Sequence, residues 1–206
     1  MRKLDDVLRN WRAGKALAHI RPGGRLLDVG CFDGYLVRQA RSRVAEVIGL
    51  DPLIASGEVD GIEFIRDSFP PRTEFADGSF DCISMLAVLE HMTDPDAVAA
   101  ECRRLLKPGG QVVLTVPSPW VDPIIWVLQR LRLLDGVCTE QHHGFDVEQT
   151  GPIFERAGFV LERREKFQLG LNNVFVFKKP RIRSPRIAVP AQQTTVQELE
   201  CVPALG

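Results

Sequence analysis

Asp28, Asp51 and Asp67 each stand in or just after a short apolar run, and the first is followed by Gly30 and Gly34. A carboxylate at the end of a strand can accept hydrogen bonds from a ribose diol, which is the chemistry Asp51 suggests. Gly30 and Gly34 would let the backbone turn sharply and approach a ligand closely. Asp28 lies inside its apolar run, where its partner is either a cationic group of a ligand or a structural hydrogen bond to the turn. His142 and His143 are loop histidines that could serve as a general base toward an acceptor, since imidazole titrates close to neutrality. Glu90 and His91 read equally as loop-fixing or catalytic residues.

The elements that must position these groups follow from punctuation and period. Residues 4–20 carry Leu4, Val7, Leu8, Trp11, Leu17 and Ile20 at helical spacing, and Arg21-Pro22-Gly23-Gly24 ends the pattern. Strands are expected over 25–29, 44–50, 62–66, 80–86 and 111–116, with a helix over 35–42. Asp94 followed by Pro95 is an N-cap signal for a second helix, which the Lys107-Pro108-Gly109-Gly110 run ends. Phe145, Asp146 and Gln149 resemble a staple and capping box, with Pro152 calling for a kink or a delayed start. Strands over 159–166 and 174–178 flank a turn-rich segment and close the sheet as a hairpin. This is an α/β pattern: a Rossmann-like three-layer sandwich with a seven-stranded, mostly parallel sheet and an antiparallel C-terminal hairpin.

Composition narrows the partners. With 26 Lys plus Arg against 27 Asp plus Glu in 206 residues, the chain lacks a broad positive field, which disfavours nucleic acid. The five cysteines include no Cys-x-x-Cys pair, so neither a metal site nor a disulfide framework is indicated. The charged start has no apolar core of the kind a secretory signal needs, and no apolar run is long enough to span a bilayer, so a cytoplasmic protein is expected.

At this point the chain resembles the class I S-adenosylmethionine-dependent methyltransferases over roughly residues 21–179. LLDVGCFDG is similar to their glycine-rich first motif, IGLDP to the acidic end of the second strand, and IRDSFP to the third strand. FADGSFDCISMLAVLEHMTDP looks like the fourth-strand signature, LKPGGQVVLTVP like the fifth, and FERAGFVLERRE like the closing segment. The resemblance implies S-adenosylmethionine as cofactor. Asp28 and the turn of Gly30, Cys31, Phe32 and Gly34 would hold its methionine end, Asp51 with Pro52 its ribose, Asp67 and Ser68 the adenine edge, and Leu86 with Ala87 the methionine chain. The family often has glycine where this chain has Phe32.

One methyltransferase domain is expected over 1–179, with an N-terminal helix in 1–21 that packs on it and an inserted helix in 118–136; 180–206 reads as a disordered tail. Apolar and basic residues in 119–134 suit a lid over an acceptor pocket, peripheral membrane contact, a homodimer interface, or packing on the domain itself. The activity implied is methyl transfer to an oxygen, nitrogen or carbon of a small acceptor, hydrophobic or lipid-linked. Two rivals stand beside it. A nicotinamide-dependent reductase of the short-chain kind needs a Tyr-x-x-x-Lys pair, and Tyr35 is followed four residues on by Gln39. A non-catalytic module would keep the cofactor pocket as a sensor.

Overall fold

A computed structural model describes residues 2–70, 73–119 and 145–181. His142, His143, nearly all of the inserted segment and the tail beyond Arg181 lie outside the described residues. The elements, in order, are α1 (Arg2–Leu17), β1 (Arg25–Val29), α2 (Tyr35–Ala40), β2 (Glu46–Leu50), β3 (Gly57–Val59), β4 (Ile62–Ile65), β5 (Phe80–Leu86), α3 (Pro95–Leu105), β6 (Leu106–Pro117), α4 (Thr150–Arg156), β7 (Val160–Phe167) and β8 (Asn172–Lys178).

The strands form one sheet in the order β3-β4-β2-β1-β5-β6-β8-β7. β4, β2, β1, β5 and β6 run parallel, and β8 pairs antiparallel with both β6 and β7. The chain builds outward from β1 to β2 and β4, then returns to lay β5 on the other side of β1. Strand order therefore reverses between β1 and β5, which opens a crevice at their carboxyl ends. The expected seven strands become eight, because Gly57–Val59 adds a short antiparallel edge to β4. Three exposed residues carry too little apolar period to announce a strand; pairing with β4 makes it one.

Alternation along the strands feeds two apolar layers. Leu26, Val47, Val113 and Val174 face α1 and α2, while Leu27, Ile48, Ile83, Leu114 and Phe175 face α3 and α4. The stripe that α1 buries is Ala13, Ala16 and Leu17; Val7 and Trp11 are about half exposed, contrary to the sequence expectation. Small alanines let the helix backbone approach the sheet, which turns the larger side chains outward. Asp94 accepts from the Ala97 N–H at 3.0 Å and Pro95 opens α3, as its sequence signals require. A one-turn 3-10 segment capped by Asp146 precedes α4, so Pro152 falls in the first helical turn, where its missing N–H leaves no broken bond. The Lys107–Gly110 turn bulges out of the β5–β6 ladder, between the Phe80–Leu106 and Cys82–Gln111 pairs.

Candidate functional site

The turn leaving β1 lies on the crevice. Gly30 has φ of 72°, and a Cβ added there would stand 2.4 Å from Val88 Cγ2, so the position admits only glycine without local movement. Phe32 is also left-handed, with φ of 46°, a backbone region that favours glycine. Its ring is 68% exposed, and its N–H donates to Asp51 Oδ2 at 2.9 Å. The other Asp51 oxygen accepts from the Leu53 N–H at 2.8 Å. Each carboxylate oxygen keeps lone-pair capacity for a further donor.

Gly30 borders two cavities. The smaller, about 150 Å³, lies toward α1 and is lined by Arg9, Arg12, Asp28, Cys31, Phe32 and Leu86 among others. The larger, about 430 Å³, is bounded by Asp51, Pro52, Ser68, Phe69, Ala87, Val88 and Met92, with His91 at its rim. In the smaller cavity Asp28 is almost fully buried and accepts from Ser84 Oγ at 2.7 Å. Burial raises its pKa to about 7, with the nearby Asp51 charge adding to the effect and the Ser84 hydrogen bond opposing it. Burial lowers the Arg12 pKa, and the charge of buried Glu90 works against that. The Nε atoms of Arg9 and Arg12 are buried and have no hydrogen-bond partner. The rest of the Arg9 guanidinium bonds Asp6 and Asp33 and lies 4.3 Å from the Tyr35 ring centre.

Asp28, Gly30, Cys31, Phe32 and Leu86 thus come together in one cavity, and Gly30, Asp51, Pro52, Ser68 and Ala87 in the other. Gly34 and Asp67 line neither. Gly34 instead ends the turn, its N–H bonded to Cys31 O, and the Asp67 carboxylate accepts from the Ser68 N–H at 2.7 Å. The Cys31 thiol is pushed up to about 12 by burial and the Asp28 and Asp51 charges, so it stays neutral. Sequence reasoning missed Arg9, Arg12, Phe69 and Val88. The two arginines were legible only as polar positions on a helix, since nothing in their spacing says that α1 crosses the strand ends. Glu90 sits in the single 3-10 turn after β5 at 3% exposure, a buried charge that acts on Arg12.

A family model described as a methyltransferase domain matches residues 3–163. The chain belongs to this methyltransferase-domain family. Curated relatives include the ubiquinone biosynthesis O-methyltransferase of Nitrosococcus oceani, 35% identical over 136 residues, or 60% of this chain and 57% of that protein. The Pseudomonas aeruginosa protein of the same name is 34% identical over 143 residues, covering 61% of this chain and 58% of the relative. The chain therefore spans less than two thirds of the length of these relatives. Among solved structures, an S-adenosylmethionine-dependent methyltransferase from Mesorhizobium loti superposes with a TM-score of 0.64 at 21% identity, covering 82% of this chain and 97% of the other. At that identity the likeness speaks for the fold.

The residues of this family member fit the cofactor of the methyltransferase fold. An amino-acid moiety needs a carboxylate and a cation side by side, and the smaller cavity has Asp28 and Arg12, the latter with an unpaired Nε. A ribose needs an acceptor at the end of β2, and Asp51 stands there with lone pairs to spare. An adenine needs a largely apolar slot with a polar edge, which Phe69, Val88 and Met92 with Ser68 provide.

Proposed function

We propose that the chain transfers the methyl group of S-adenosylmethionine to an oxygen of a small hydroxylated acceptor. The observation that carries this reading is the joint presence of buried Asp28 and of Arg12 in one small cavity at the switch point. That pair matches the ammonium and carboxylate of an amino acid, groups a nicotinamide cofactor lacks. Oxygen as the nucleophile is taken from the relatives' names, which print O-methyltransferase.

When bound, S-adenosylmethionine supplies an activated methyl carbon: the acceptor oxygen bonds to it as the carbon–sulfur pair returns to sulfur. The protein's contribution is placement. In this proposal Asp28 holds the ammonium, Arg12 and Arg9 the carboxylate, and Asp51 the ribose hydroxyls. The Gly30 backbone lets the ligand lie across both cavities, and Ser68 meets the adenine edge. The acceptor hydroxyl must lose its proton, and we assign that step to His142 or His143.

Calorimetric titration with S-adenosylmethionine tests the cofactor half: micromolar binding is expected, and no detectable heat in the wild-type chain would refute it. For the base, replacing both histidines by alanine should lower kcat at least tenfold and leave cofactor affinity unchanged. An unchanged kcat would remove them from the mechanism.

A further inference from the structure

The backbone at position 32 suits glycine, and the chain has phenylalanine there. The Gly34 N–H donates to Cys31 O at 2.8 Å, so residues 31–34 form a turn with Phe32 at its second position. A φ of 46° at that position is ordinarily met by Gly, Asn or Asp, and a bulky side chain is disfavoured. Asp51 holds the conformation through the Phe32 N–H, a bond that glycine would make equally well. Burial does not offset the strain, because the side chain is 68% exposed. Among the described residues its ring makes no ring–ring or cation–π contact. Tyr35, the other aromatic residue of the smaller cavity, is already covered by the Arg9 guanidinium. Fold stability therefore does not account for Phe32, and a strained exposed residue at a ligand cavity points to function.

Phe32 stands where the two cavities join. It lines the smaller one with Asp28 and Arg12, and its N–H is bonded to Asp51, which bounds the larger. With the amino-acid end of S-adenosylmethionine in the first and its ribose against Asp51, the atom that links the two halves is the sulfonium sulfur. Gly30, which borders both cavities, offers it no side chain. Asp28 and Asp51 are assigned to the ammonium and the ribose, and Asp33 bonds Arg9. A sulfonium carries a fixed positive charge and has no N–H or O–H to donate. It is recognised by negative potential and polarisable surface, and the face of an aromatic ring presents both.

We infer that the face of the Phe32 ring meets the sulfonium of S-adenosylmethionine. This contact makes the site prefer the charged methyl donor to S-adenosylhomocysteine, the neutral thioether left after transfer. The inference rests on the methyltransferase reading of the same site and adds to it a basis for telling donor from product. Loss of the methyl group removes the charge, the attraction to the ring falls away, and product release is favoured.

The test is calorimetric titration of the full chain with S-adenosylmethionine and, separately, with S-adenosylhomocysteine. Phe32→Leu keeps an apolar side chain with the same backbone strain and removes the aromatic face. It should weaken S-adenosylmethionine about fivefold and S-adenosylhomocysteine less than twofold. Phe32→Trp should keep the wild-type ratio of the two affinities or raise it. Phe32→Gly, which suits the backbone, should lower the ratio as Phe32→Leu does and so gives the same reading should the leucine variant fold poorly. An unchanged ratio in Phe32→Leu and Phe32→Gly, or equal losses for both ligands, would overturn the inference and leave the methyltransferase reading standing. A wild-type chain that binds neither ligand would overturn both.

Discussion

The Phe32 N–H donates to Asp51 Oδ2 at 2.9 Å, so the turn leaving β1 is tied to the carboxylate at the end of β2. One side chain thus shapes the turn and presents an acceptor to the larger cavity. Asp51→Ala should remove both roles: a loss of roughly 1.5–3 kcal/mol in urea unfolding, typical of a hydrogen bond to a charged group, and at least tenfold weaker S-adenosylmethionine binding. Asp51→Asn keeps one acceptor oxygen and should fall between the two proteins in both measurements.

Asp28 should make stability depend on pH. Its pKa is raised from 3.8 to about 7, chiefly by burial. The folded protein therefore holds a proton that the unfolded chain releases, and stability from this group falls as pH rises from about 4 to 7. Asp28→Asn should abolish that slope. The variant should be as stable as wild type near pH 4 and more stable above pH 7, by thermal or urea unfolding across pH. Its S-adenosylmethionine affinity should drop at least tenfold. In the wild type an ammonium beside Asp28 would expel the proton, so affinity should weaken as pH falls from 7.5 to 5.5, with proton release visible by calorimetry in buffers of different ionisation enthalpy.

Arg12 should act on one end of the cofactor only. Arg12→Met keeps much of the apolar stem and removes the charge. It should weaken S-adenosylmethionine about 10- to 100-fold while leaving decarboxylated S-adenosylmethionine nearly unaffected. Equal losses for the two ligands in parallel titrations would place the arginine elsewhere.

The order of the elements other than β3, the parallel core of the sheet and the positions of Asp28, Gly30 and Asp51 were legible in the chain alone. Apolar runs of strand length, the Asp94-Pro95 cap and the glycine breaks are local signals, and local sterics dictate what they form. The reach of the site was not legible. Arg12 and Leu86, 74 positions apart in the chain, line one cavity because α1 packs on the face of the sheet that carries Asp28 and Leu86. The outward turn of Trp11 and the burial of Ala13 and Ala16 likewise follow from how closely α1 approaches the sheet.

By itself, then, the sequence determined a switch-point site in an α/β sheet, because strand ends and glycine turns are written in short stretches of chain. Only the tertiary structure decided that Phe32 adopts a glycine-like backbone secured by Asp51 and that Arg12 of α1 shares a cavity with Asp28. Those outcomes depend on register between strands remote in sequence and on burial, which sets whether a carboxylate or hydroxyl finds a partner.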